Sequence, residues 1–175
     1  MGKVTDKDKG YAAALKALKD MGDLTVTVGL HADAEPYQKG QSAPINVAQI
    51  GAVHEFGGGR VPARPWLRPP VDGNRAQYGN IVQRDAGRVL DGTLKVEQLG
   101  ERLGLKVQAD VQKSIVDVEA PPLAEATIAK KAALSPTGAV RVVGGVETGN
   151  PLIDTGHMRQ SVTYVVGKGP HRSQD

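Results

Sequence analysis

The chain contains no cysteine. Disulfides, thiolate metal sites and thiol redox chemistry are therefore excluded, and the composition fits a protein assembled in a reducing cytoplasm. Aromatic residues make up only 3% of its 175 positions, with a single Trp and a single Phe. Its core must be built from Val, Leu, Ile and Ala, and Trp66, Phe56 and four Tyr are the large anchors on offer. No stretch approaches the ~20 apolar residues of a membrane span, and the charged opening MGKVTDKDKG has no apolar signal region. The expectation is a soluble, unsecreted protein without a membrane partner.

A chain of this length forms one domain with room for a hydrophobic core. Its net charge of +3 and pI near 9.2 are mildly basic. The excess is local: Arg60, Arg64, Arg68, Arg75, Arg84 and Arg88 fall in one stretch opposed only by Asp72 and Asp85. Such a stretch suits an acidic partner or nucleic acid, or an ordinary solvated face. The scarcity of aromatics speaks against readout of bases by stacking.

Apolar periodicity predicts an N-terminal helical segment over 1–22, with Tyr11, Leu15 and Leu18 on one face and Gly22 as its stop. LTVTVGL, from Leu24 to Leu30, alternates as a strand with one buried face. A helix carrying Val47, Ile50 and His54 ends at Gly57 to Gly59. The segment 57–71, with Pro62, Pro65, Pro69 and Pro70, predicts a stiff extended strap. Asp72 is expected to cap a helix to about Leu90, with Tyr78, Val82, Ala86 and Val89 in line. A longer helix from about Lys95 to Val116 carries the stripe Val96, Leu99, Leu103, Val107, Val111 and Ile115. LAEATIAKK predicts a short helix, 132–150 a Gly-rich loop or arm with a loose hairpin around VRVVGGVE, SVTYVV a closing strand, and 168–175 a flexible tail. The fold class is α+β: a small antiparallel sheet covered by two main helices, all within a single domain at 23–167, with extended loops or arms.

Few residues carry candidate chemistry. Asp154, Thr155 and Gly156 form the Asp-Thr-Gly triplet that surrounds an aspartic protease carboxylate, but that chemistry needs a second carboxylate sharing its proton. Too little chain follows Gly156 to supply a flap and a closing strand. A capping carboxylate leading into the last strand explains Asp154 better, and an acid protease is the weakest alternative. His54 and Glu55 are adjacent, so on a helix they diverge by about 100° instead of sharing a metal. No serine lies in a nucleophile elbow, and no Lys-Ser/Thr follows the triple glycine as phosphate binding would require. No catalytic residue, metal or cofactor is expected. What remains is the strap, where Arg60, Arg64 and Arg68 offer forked donors beside Trp66 and Leu67. Trp and Arg dominate interface hot spots, so the strap suggests a docking element, unless Trp66 and Leu67 fold back over the domain's own core.

Two blocks carry a resemblance. VAQIGAVHEFGGGRVPARPWLRPPVD, followed after paired helices by EATIAKK and PLIDTGHMRQSVTYVV, resembles the tail-completion and neck proteins of tailed bacteriophages. The matching positions are Glu55, Phe56 and Gly57, then Arg60, Pro62, Arg64, Pro65, Trp66, Leu67 and Arg68 of the strap, and Asp154, Thr155 and Gly156 of the turn. Trp66 stands where Phe is usual, and the Gly-rich segment Ala139 to Gly149 is extra. The resemblance implies a virion protein assembled in the bacterial host cytoplasm, with no active site. It would form a ring, a hexamer, at the head–tail junction or the top of the tail, next to connector, terminator or tail-tube proteins and close to packaged DNA. A DNA-contacting basic assembly factor is the alternative.

Overall fold

The computed structural model describes residues 10–31, 46–134, 140–143, 146–153 and 156–169. The chain is α+β, largely helical, with the small antiparallel sheet and the two main helices expected from its periodicity. Its elements run α1 (Tyr11–Gly22), β1 (Leu24–Leu30), α2 (Val47–Phe56), α3 (Arg68–Gly73), α4 (Arg75–Leu90), α5 (Val96–Asp117), α6 (Glu125–Leu134), β2 (Val140–Val143), β3 (Val146–Gly149), α7 (His157–Gln160) and β4 (Val162–Lys168). β1 pairs with β4. Gly169 N–H donates to Asp23 O at 2.6 Å, which sets the start of β1 against the end of β4 in the antiparallel sense. β2 and β3 form a separate antiparallel hairpin with Val140 opposite Gly149 and Val143 opposite Val146. α6 lies against this hairpin.

The chain separates into two compact units, whose boundaries fall inside β1, between α3 and α4, inside α5 and inside β4. The first holds the described residues of Met1–Thr27, Arg75–Lys106 and Val165–Asp175. Its core is Val89, Val96 and Leu99, against which Ala17, Met21, Leu24, Ala86 and Leu94 pack. Gly100 lets the start of α5 approach the sheet, since a Cβ there would stand 2.8 Å from Val166 Cγ1 and 3.4 Å from Leu24 Cδ1. The second unit holds the described residues of Val28–Asn74 and Val107–Tyr164. Val47, Trp66, Val111, Ile115, Met158 and Val162 are among its buried apolar residues. The Gln108 and Gln112 amides both donate to Val162 O, at 2.8 and 3.3 Å, and fix the start of β4 to α5.

Several local expectations are corrected. Asp72 does not cap the helix before Leu90. It lies inside α3, and α4 begins at Arg75. The last part of the Pro-rich strap is helical because Pro69 and Pro70 occupy the first turn of α3, where a backbone donor has no intrahelical acceptor to lose. On α4, Val82 is 37% exposed while Asp85 is completely buried, so the inward line passes through Tyr78, Asp85 and Val89. The Tyr11, Leu15 and Leu18 face of α1 is exposed, and the helix packs through Ala17 and Met21 instead. Gly22 is the last residue of α1, with Asp23 as C-cap in right-handed conformation. β1 has no single buried face: its residues are half-buried on both sides, with Gly29 buried.

Candidate functional site

α2 starts with Asn46, whose Oδ1 accepts from Ala48 N–H at 2.8 Å as an N-cap. It ends at Gly57, where φ is +77° and a side chain would press on Ala63 N at 3.0 Å. Only glycine meets both demands without strain. A two-residue turn follows. Gly58 and Val61 exchange backbone hydrogen bonds of 3.0 and 2.9 Å, with Gly59 at φ +57° in the first central position. The chain then doubles back along α2, and Arg64 N–H donates to His54 O at 2.6 Å.

From Arg64 to Arg68 the strap is fastened from behind. Trp66 is 3% exposed, and its indole Nε1–H donates to Gly51 O at 3.0 Å. Gly51 leaves room for this, because a Cβ would overlap Leu30 Cδ1 and stand 3.0 Å from the Trp66 ring. Glu55, also 3% exposed, accepts from Trp66 N–H at 2.7 Å, Leu67 N–H at 3.0 Å, Arg68 N–H at 3.3 Å and Arg68 Nε at 2.9 Å. The carboxylate caps α3 from another helix. Leu67, at the N-cap, makes no side-chain cap of its own, and the two prolines have no N–H to satisfy. Burial pushes the Glu55 carboxyl up. The bonds from Leu67 N–H, the Arg68 guanidinium, Trp66 N–H and Arg68 N–H outweigh it and hold the group below its ordinary value.

Arg64 turns inward as well. It is 4% exposed and donates from Nε to Pro121 O at 2.7 Å and from Nη2 to Pro122 O at 3.1 Å, which ties the strap to the connection between α5 and α6. Burial lowers the pKa of this guanidinium from its ordinary value. Arg64 and Trp66 are thus not outward docking groups. Folding back over the core, the other reading of Trp66, is the observed arrangement.

Phe56, Val61 and Arg68 are exposed instead. Phe56 is 67% exposed, and the Arg68 guanidinium lies over its ring at 4.8 Å from the centroid. Val53, Arg60, Val61, Pro62 and Pro65 are exposed on the same unit. Glu55 therefore holds Arg68 from one side while Phe56 holds it from the other.

The second block lies partly outside the described residues, which include neither Asp154 nor Thr155; the expected capping role of Asp154 falls there. Gly156 is described, in left-handed conformation at φ +78° as N-cap of α7. Asn150, which apolar patterning passes over, anchors the approach to this turn. Its Oδ1 accepts from Leu152 N–H at 2.9 Å and Ile153 N–H at 3.0 Å, and its Nδ2 donates to Val116 O at 2.7 Å. The Asn-Pro pair was the available signal, since this dipeptide favours a turn held by the Asn side chain. Strap and turn are thus secured by the same device: one buried or half-buried polar side chain taking several backbone donors.

No protein-family model matches the chain, and neither the curated proteins nor the solved structures include a detectable relative. Among the described residues no His, Asp or Glu cluster could hold a metal ion, and no helix is long and apolar enough to cross a membrane.

Proposed function

We propose that this chain is a structural virion protein of a tailed bacteriophage. In this reading it forms a ring at the head–tail junction or the top of the tail, completing the tail and joining it to the capsid connector. The reading rests on the order and spacing of the two sequence blocks. The observation that supports it is an exposed rim, the Phe56 ring with Arg68 over it, on a strap that Glu55, Trp66 and Arg64 fasten from behind.

Exposing the single Phe of an aromatic-poor chain leaves apolar surface in water that a partner would remove. The Arg68 side chain over its ring is already restrained, so less of its freedom is lost on docking. In a ring each subunit presents this rim to a neighbour, and closure repeats a modest contact around the circle. The role is assembly, with no reaction catalysed.

The experiment is deletion of the gene from the parent phage, followed by electron microscopy of the lysate. Heads and tails that accumulate unjoined, or tails with faulty ends, are the expected outcome. Normal infectious particles overturn the proposal.

A further inference from the structure

We infer that Arg84, Arg88 and Arg102 form a binding site for a phosphate-class oxyanion, organised from beneath by the buried carboxylate of Asp85. All four residues belong to the first unit. Asp85 is 0% exposed, yet both its oxygens stand against partly exposed arginines. Oδ1 accepts from Arg84 Nε at 3.0 Å and stands 3.9 Å from Arg88 Nη1, while Oδ2 is 2.8 Å from Arg102 Nε. The three arginine side chains are 59%, 43% and 45% exposed. Among the described residues Asp85 is the acid that each of them pairs with.

Charge and geometry together select the ligand. Three guanidinium charges against one carboxylate leave an excess of two at one point on the surface, which matches a dianion. Arg84 spends Nε on a hydrogen bond to Asp85 and Arg102 sets its Nε against the other oxygen as an ion pair, which leaves their terminal amino groups as further donors. Forks converging from α4 and from α5 can grip a tetrahedral anion on several oxygens at once. A planar carboxylate has only two oxygens and uses one fork well.

Burying a carboxylate is costly and is unnecessary if the arginines only needed to be soluble. What it achieves is to hold rotamer-rich side chains in place before a ligand arrives. The hydrogen bond from Arg84, opposed by burial and aided by the charges of Arg102, Arg84 and Arg88, keeps Asp85 below its ordinary value, so the clamp is ionised at neutral pH. The anion could be free phosphate or a backbone phosphate of nucleic acid, and this inference does not depend on the virion reading.

The test follows the arginine Nε–Hε signals of the 15N-labelled full chain by NMR as inorganic phosphate is added at constant ionic strength, and then with a short duplex DNA. Saturable shifts confined to Arg84, Arg88 and Arg102 are expected. Arg88 stands furthest from Asp85, so R88Q keeps both short contacts of the clamp; it should weaken phosphate binding roughly tenfold with little change in thermal unfolding. R75Q, on the same helix but outside the cluster, should change nothing. DNA that shifts the same three signals and is displaced by phosphate identifies the source as a backbone phosphate, and phosphate binding alone identifies the free anion. The inference is overturned by shifts spread evenly over Arg60, Arg75 and the three arginines, by shifts that never saturate, or by polyglutamate engaging the cluster when phosphate does not.

Discussion

Glu55 shows how one residue type decides a local structure. A carboxylate with almost no access to water survives because three consecutive backbone N–H groups and a guanidinium point at it. Gln at this position keeps the shape but turns an N–H₂ group toward donors, so E55Q should destabilise the protein by about 3 kcal/mol in chemical denaturation at neutral pH. The pH dependence has a fixed sign. The folded value lies below the ordinary 4.5, so the Glu55 contribution is whole at neutral pH, begins to fall near that value and vanishes as pH drops through the folded one. Wild-type and E55Q stabilities should therefore converge on acidification, and a gap that stays constant down to the lowest pH would show that the charge on Glu55 is not what matters. Asp85 is depressed in the same direction, so some acid sensitivity should persist in the variant. Gly57 makes the complementary point: G57A meets both an unfavourable positive φ and the Ala63 backbone, and should cost about 1–3 kcal/mol by the same measurement.

Elements were largely legible from periodicity. The α5 stripe through Val96, Leu99, Leu103, Val107, Val111 and Ile115 faces inward as its three- and four-residue steps require, with Leu103 half-buried and the other five buried, and β1 spans Leu24–Leu30. Buried charges were not legible. Asp85 breaks the apolar line of α4, and nothing local to that helix reveals that Arg102 arrives from α5 to meet it. Inward-turned Arg64 was hidden for the same reason, since its acceptors are carbonyls 57 and 58 residues away in sequence. The start of α3 was obscured because its cap is supplied by Glu55 of α2 and its own first turn is proline. Glycines on the two main helices give a test of opposite signs. A Cβ at Gly100 meets Val166, a side chain stiff about χ1, so G100A should push α5 off the sheet and destabilise by about 1–3 kcal/mol. Gly87 on α4 has nothing within 4 Å, and G87A should stabilise by about 0.5–1 kcal/mol through helix propensity alone. Equal effects at the two positions would mean that close packing of α5 against Val166 is not required.

At the scale of the whole molecule, what a residue does for the fold and what it does for assembly should separate. Trp66 and Arg64 are internal fasteners, so their loss unfolds the strap and would abolish any function indirectly. Phe56 is different: at 67% exposure its ring contributes little to the core, and surface changes of this kind usually stay within about 0.5 kcal/mol. F56S should therefore purify as a folded protein with a melting temperature close to wild type. If the exposed rim is the contact between subunits or with the connector, the same variant supplied in trans should fail to restore infectivity to a deletion phage, whereas wild type restores it. A conservative F56Y, which keeps a ring beneath Arg68, should restore most of it. Full rescue by F56S would remove the rim from the interface and leave assembly to other surfaces, because a contact repeated at every junction of a ring multiplies any weakness.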